Sequence, residues 1–220
     1  MDVAIYDKLA KRYDLATKIV SFGIEEIWRY IFIKTIKKYI KDGVLLDIAS
    51  ATGENAKKLC FKEMILIDPS EEMNKIAKEK LKVCNNSEIL ILKESAESFK
   101  LGKKVDLITA FMAVRNFDNL QKGMNNLKNH LNEGGYIAIV EMVNSKSLIA
   151  KMIFWYMNNI VPFIAGFLLG MKSEYKLLGK SISSLSEDDI LSNLEGLKIV
   201  KKHKLIFPIA TLIIAKKDDR

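Results

Sequence analysis

Residues that ligate metals or cross-link chains are scarce here: 220 residues contain two histidines and two cysteines. His130 and His203 stand apart, and Cys60 and Cys84 have no metal-type spacing, so no metal centre is expected. The same two cysteines suggest a reducing compartment and no disulfide frame, hence a cytoplasmic protein. Three prolines leave no Pro-rich linker, and no low-complexity tract or internal repeat is visible. The opening MDVAIYDKLAKRYD lacks the apolar run of a secretory leader; it is charged and amphipathic. The net charge is +8, nearly all of it lysine spread along the chain. No arginine–aromatic cluster of the kind that stacks bases accompanies it, so a nucleic-acid partner is not expected. A solvated lysine-rich surface is the plainer reading, and attraction to an anionic membrane surface the second.

Long apolar runs are also rare. One stretch, Met152 to Met171, carries no charge and by length could span a bilayer. Asn158, Asn159 and Pro162 interrupt it, and no second span exists. It is expected to form a hydrophobic lobe that binds substrate or touches a membrane rather than crossing it.

What is present is a hydrophobic content of 49%, enough for one well-packed unit. Residues 3–40 read as helical, with Gly23 separating two helices. Val44–Ile48, Met64–Ile67, Ile89–Leu92, Val105–Phe111 and Tyr136–Met142 read as strands separated by helices. They are short apolar runs rather than alternating patterns, which means a parallel sheet covered on both faces. Asn132-Glu-Gly-Gly135 reads as the turn closing the helix that starts at Leu120. The last two runs, Leu197–Lys201 and Leu205–Ala215, read as an antiparallel pair at one edge. The fold class is therefore α/β, a Rossmann-like, doubly wound, mostly parallel seven-stranded sheet, with N-terminal helices and a helical insertion before the last two strands. As one domain it divides into a helical cap (1–43), a cofactor-binding core (44–145), a hydrophobic helical substrate lobe (146–195) and a terminal strand pair (196–220).

The first strand ends at Asp47 and runs into a small-residue turn, Ala49-Ser-Ala-Thr-Gly53, ahead of a helix. Where such loops prefer glycine this one has Ser50 and Ala51. Alanine at position 51 is tolerable if its φ is negative. A dinucleotide loop would show G-x-G-x-x-G; here Asp47, Ala49, Ala51 and Gly53 fall two apart instead. A shorter, zwitterionic adenosine ligand suits that turn better, and S-adenosylmethionine is such a ligand. Asp68, ending the second strand, stands where an acid takes ribose hydroxyls in doubly wound sheets. Ser95 and Ala96 follow the third strand, where backbone and side chain can meet adenine.

At these residues the chain resembles the S-adenosylmethionine-dependent C-methyltransferases of menaquinone and ubiquinone biosynthesis, over nearly its whole length. Tyr13-Asp-Leu, Ser21-Phe-Gly and Trp28-Arg29 look like that family's N-terminal signature. Asp47 to Gly53 is similar to its D-x-A-x-G-T-G loop, Val114-Arg-Asn116 to its hydrophobic-Arg-Asn motif, and Asn132-Glu-Gly-Gly135 to its K-P-G-G turn. Ser173 to Ile182 is similar to its S-Y-x-Y-L-x-x-S-I stretch. The resemblance implies S-adenosylmethionine as cofactor, contacted by Tyr13, Asp47, Ala49, Thr52, Gly53, Asp68, Ser95, Ala96 and Phe111. It implies methyl transfer to a ring carbon of a polyprenylated quinol, with Arg115 and Asn116 as the catalytic pair. Phe22, Trp155 and Tyr175 would contact the substrate, and Glu141 would either reach the site or partner Arg115. Naphthoquinol against benzoquinol, and monomer against homodimer, stay open.

Overall fold

The computed structural model describes residues 3–144, 147–169, 185–205 and 209–219. The stretch from Ser173 to Ile182, with Tyr175, and the side chain of Phe167 lie outside them.

Seven strands form one sheet in the order β3-β2-β1-β4-β5-β7-β6. They are β1 Val44–Ile48, β2 Glu63–Ile67, β3 Glu88–Leu92, β4 Val105–Phe111, β5 Leu131–Met142, β6 Lys198–Lys204 and β7 Ala210–Lys216. The first five run parallel; β7 pairs antiparallel with β5 and β6. The chain winds outward from β1 to β3, then returns to place β4 on the other side of β1. That reversal opens a crevice at the carboxyl ends of β1 and β4, the place where open α/β sheets hold ligands.

Apolar runs bury alternate residues on opposite faces. Leu45, Met64 and Leu107 pack with Trp28, Phe32 and Ile36 on one face. Leu46, Ile65 and Ile108 pack with Phe99, Met124 and Leu127 on the other. Each fully buried large side chain contributes roughly 1.5–3 kcal/mol. Nine helices flank the sheet among the described residues: α1 Val3–Leu9, α2 Tyr13–Val20, α3 Ile24–Ile36, α4 Glu54–Leu59, α5 Glu71–Lys80, α6 Leu120–Asn129, α7 Leu148–Asn159, α8 Val161–Leu169 and α9 Glu187–Asn193. Gly23, at φ +75°, supplies the left-handed residue that starts α3. The Ser70 hydroxyl caps α5 by accepting from the Met73 amide at 3.2 Å, satisfying one orphan N–H of the first turn. α7 and α8 break apart at Ile160, and among the described residues no helix is long and apolar enough to cross a membrane.

Two expectations are corrected. Cys60 and Cys84 form a disulfide, with Cα atoms 5.6 Å apart. It ties the residue that ends α4 to the turn beyond α5, neighbours that sequence spacing does not reveal. Asn132 to Gly135 is not a separate turn: β5 already begins at Leu131, and its register with β4 shifts between Val105 and Leu107. The two glycines sit inside that irregularity, Gly134 at φ +75°.

Candidate functional site

The turn after β1 alternates in backbone hand. Ala49 and Ala51 take φ of +49° and +47°, and Gly53 takes +76°. Such alternation curls the chain into a concavity lined by amides. The condition under which an alanine at 51 is free of strain, a negative φ, is therefore not met. Ser50 has no positive φ and needs no glycine; the strained positions are 49 and 51. Three bonds hold the turn: the Ser50 amide donates to the Ile67 carbonyl at 3.2 Å, the Ala51 amide to Asp68 Oδ2 at 2.9 Å, and the Gly53 amide to the Ser50 carbonyl at 2.9 Å. Ser50 lines a cavity of about 740 Å³, and its hydroxyl is buried without a partner.

That cavity sits at the carboxyl end of β1 and β4. The turn and Asp68 form its floor, α1, α2 and α3 cover it, and α7 closes one side. Asp68 also accepts from the Ser70 amide at 2.9 Å. Burial pushes its carboxyl up to about 6, against the pull of those two amides. With two of its roughly four acceptor directions used, it keeps room for a vicinal diol. A slot of about 70 Å³ adjoins, lined by Ile48, Pro69, Ser95, Ala96, Glu97 and Phe117 among others. Ala49 and Asn116 line both spaces. A buried acid with spare acceptors, an orphaned hydroxyl on a curled turn and a narrow apolar slot together fit an adenosine ligand with a charged tail.

The remaining expected residues divide. Asp47 is fully buried and lies behind the turn, outside the cavity wall. It accepts from the Thr109 hydroxyl at 2.6 Å, its partner across β1 and β4, and burial pushes its carboxyl up to about 6. The Thr52 hydroxyl is engaged by the cap: it donates to Asp14 Oδ1 at 2.7 Å and accepts from Lys80 at 2.9 Å. Lys80 also pairs with Asp14 and with Glu54. Tyr13 lines the cavity, its phenol pKa raised by burial and by nearby Glu25. Phe111 carries the Arg29 guanidinium 4.2 Å above its ring centroid.

Arg115 and Asn116 sit in the single helical turn Val114–Asn116 beyond β4, and both line the cavity. Arg115 is held by fully buried Glu141. Its Nη1 pairs with Glu141 Oε1 and its amide donates to Oε2 at 3.1 Å, while its Nε is buried with no partner. Glu141 thus anchors the arginine, and it does not line the cavity.

Phe22 stands at the mouth, 73% exposed, with its ring 6.0 Å from Tyr156. Trp155 is 61% exposed and does not line the cavity, which α7 faces with Ile153, Tyr156 and Met157. His130 caps α6, its ring bonded to the Asn126 carbonyl and the Leu101 amide.

Sequence reasoning missed Tyr6, Arg29, Asn55 and Tyr156, all on the cavity wall. A signal for Tyr6 existed. Tyr6-Asp7 and Tyr13-Asp14 are the same pair seven residues apart, a spacing of two helical turns, carried on α1 and α2. Both tyrosines turn to the cavity. Both aspartates clamp the cap, Asp7 accepting from the Ser70 hydroxyl at 2.5 Å and Asp14 from Thr52.

A family model described as the ubiE/COQ5 methyltransferase family matches residues 2–217. The chain is similar to a demethylmenaquinone methyltransferase of Bacteroides fragilis, 28% identical over 97% of this chain and 91% of that protein. It is also similar to a demethylmenaquinone methyltransferase of Thermotoga maritima, 29% identical over 96% and 93%. Another relative is a ubiquinone/menaquinone biosynthesis C-methyltransferase of Campylobacter jejuni, 28% identical over 98% and 97%. Among solved structures, an S-adenosylmethionine-dependent methyltransferase of Thermotoga maritima superposes with a TM-score of 0.69 at 16% identity, covering 98% of this chain and 99% of that one. One from Clostridium acetobutylicum gives 0.67 at 16% identity, covering 94% and 98%. At that identity the likeness is one of fold.

Proposed function

The chain belongs to the ubiE/COQ5 methyltransferase family, and from that premise we propose that it moves the methyl group of S-adenosylmethionine to a ring carbon of a polyprenylated quinol of the demethylmenaquinol type. One observation carries the acceptor: the floor that suits adenosine opens directly into a cavity walled by Tyr13, Trp28, Phe111, Met142, Met157 and Val161. A flat, mostly apolar ring with polar edges matches that wall, and the names of the relatives point the same way.

The bound sulfonium supplies an already electrophilic methyl group, so no protein nucleophile is required. The chain binds, orients and tunes. Asp68 would accept from the ribose hydroxyls, Ser95 and Ala96 would border the base, and the turn around Ser50 would lie at the amino-acid end. The ring must be made nucleophilic by loss of a phenolic proton. With a phenol near pKa 10, that ionisation costs about 4 kcal/mol at pH 7. A hydrogen bond to a charged oxygen contributes about 1.5–3 kcal/mol, so two or three donors on the ring oxygen offset the cost. Arginine cannot serve as the base. Arg115, held in place by Glu141, and Asn116 act instead as donors to that oxygen, while water takes the proton.

The acceptor dissolves in lipid, so the mouth works at a membrane surface. Phe22, in the turn between α2 and α3, and Leu148, Met152, Trp155 and Phe163, on α7 and α8, are exposed apolar side chains beside the cavity, and scattered lysines favour an anionic face. The deciding experiment is transfer of labelled methyl from S-adenosylmethionine to demethylmenaquinol, against a benzoquinol and simple phenols. Demethylmenaquinol should be the preferred acceptor by at least about tenfold. Equal rates on simple phenols, or none on either quinol, would refute the assignment.

A further inference from the structure

Tyr6 lies on α1, the first element of the cap. Asp7, beside it, fixes that helix to the start of α5 by accepting from the Ser70 hydroxyl at 2.5 Å and from the Glu72 amide at 3.4 Å. With Asp7 anchored, Tyr6 turns inward and lines the cavity with Asp68, Arg115 and Asn116. Asn116 lines the same wall, and the Tyr6 phenol lies within the field of Arg115, Asp68 and Glu141. Tyr6 therefore stands between the acid that suits the ribose and the arginine pair at the reacting end.

The donor inventory there is short. Arg115 spends Nη1 and its backbone amide on Glu141 and has its Nε buried without a partner, which leaves Nη2 as its donor. Asp68 offers acceptors only. Burial raises the Tyr6 phenol above its ordinary value, so at neutral pH it is a proton donor and no base. When the Asn116 amide donates to the phenolic oxygen, the phenolic hydrogen is left for another acceptor.

We propose that Tyr6 is a catalytic residue of the methyl transfer, donating its O–H to the ring oxygen next to the carbon that is methylated, with Asn116 holding the phenol in place. This rests on the quinol reading above. The ring hydroxyl gives its proton to water, and Tyr6 stabilises the anion that results. The ring carbon then bonds the methyl as the sulfur–methyl bond breaks, the bonding pair staying on sulfur. The hydrogen on that carbon leaves to water as a proton and the aromatic ring is restored. Tyr6 keeps its own proton throughout.

Tyr6→Phe removes the one oxygen and keeps the ring that fills α1's inner face. The expected result is a fall in kcat of about 100-fold, the size of one lost oxyanion donor, with the Kd for S-adenosylmethionine by calorimetry changed less than about twofold. A second readout needs no turnover. 2-Naphthol bound to the S-adenosylhomocysteine complex reports its own ionisation by absorbance; wild-type protein should lower its apparent pKa, and Tyr6→Phe should raise it again by about one unit or more. Weaker cofactor binding in proportion to the lost rate would move Tyr6 to the ribose and overturn the proposal. An unchanged rate, or a naphthol pKa that wild type and Tyr6→Phe lower equally, would overturn it while leaving the quinol acceptor standing. A wild-type protein that leaves the naphthol pKa at its solution value would overturn the proposal and the oxyanion reading of Arg115 and Asn116 together.

Discussion

Ala51→Gly should make this protein more stable, against the usual effect of adding glycine. Ala51 holds φ at +47°, where an L-residue's Cβ crowds its own carbonyl at a cost of roughly 1–2 kcal/mol. Glycine removes that cost and adds about 0.4–1 kcal/mol of freedom to the unfolded chain. The difference is a net gain of about 0.5–1 kcal/mol. At this length each kcal/mol moves Tm by about 2–4 °C, so a rise of about 1–4 °C is expected in a thermal melt. The bond from the Ala51 amide to Asp68 is a backbone bond and survives the change. Because Ala51 lines the cavity, losing its methyl also widens the floor, and calorimetry should find S-adenosylmethionine bound at least as tightly. Ala51→Val is the counter-test: a β-branched side chain at that φ is a true outlier and should lower Tm. Gly53→Ala should lower it as well, since its φ is +76° and the new Cβ would meet that of Ala77 at 3.2 Å. A fall in Tm for Ala51→Gly, or a tolerated Ala51→Val, would refute the reasoning.

Three further outcomes follow from buried charge and covalent linkage. Asp47 and Asp68 both have folded pKa values pushed up to about 6 by burial, above the unfolded value. Their contribution to stability is therefore fully present below about pH 4 and lost as pH rises through 6. The exposed Asp42, Glu71 and Asp189 are shifted downward and act oppositely, but only below about pH 4. The unfolding free energy from urea titration should accordingly be higher at pH 5 than at pH 7.5, by on the order of 1–3 kcal/mol, and Asp47→Asn should shrink the gap; equal stabilities would contradict the burial argument. Opening the Cys60–Cys84 bridge, which closes a separation of 24 residues, should cost about 3 kcal/mol on the chain-entropy account. Denaturation with and without reductant checks this, and coincident curves would show the bridge adds nothing. Arg115→Ala strands the fully buried Glu141 and should destabilise by about 3–5 kcal/mol; pairing it with Glu141→Gln should recover much of that, and an absence of coupling in the double mutant would refute the anchoring role.

The parts of this molecule that were legible in the sequence are those set by short-range patterning. β1 and β4 were readable to their ends because apolar runs stop at Gly43, Lys104 and the turns after Ile48 and Phe111. Ser70 was readable as a cap because a small hydroxyl residue precedes two glutamates. The count of seven strands and the antiparallel edge pair followed once the last two runs were seen to alternate. What escaped is what three-dimensional placement alone decides. The disulfide joins the ends of α4 and the turn after α5, which no spacing rule pairs. The inward face of α7 could not be phased, since Ile153, Phe154, Trp155, Tyr156 and Met157 are consecutive and apolar; Trp155 drew notice as the largest, yet Tyr156 meets the cavity.

The deepest omission was treating the N-terminal helices as cover for a site made elsewhere. The repeated Tyr-Asp pair makes them half of the site. Each aspartate binds a residue at the ligand floor, Asp7 the cap of α5 and Asp14 the threonine of the strained turn, and each tyrosine is thereby aimed at the cavity. Lys80 draws Asp14, Thr52 and Glu54 to one ammonium, so the turn, the cap and α5 are held as one body. That clamp explains how two alanines persist at positive φ in the middle of the floor. The strain of roughly 1–2 kcal/mol at each is matched by bonds that would all be lost together if the turn relaxed. The same coupling means the cap must be in place for the turn to hold its shape. A defect in α1 or α2 should therefore read out as a defect in the floor.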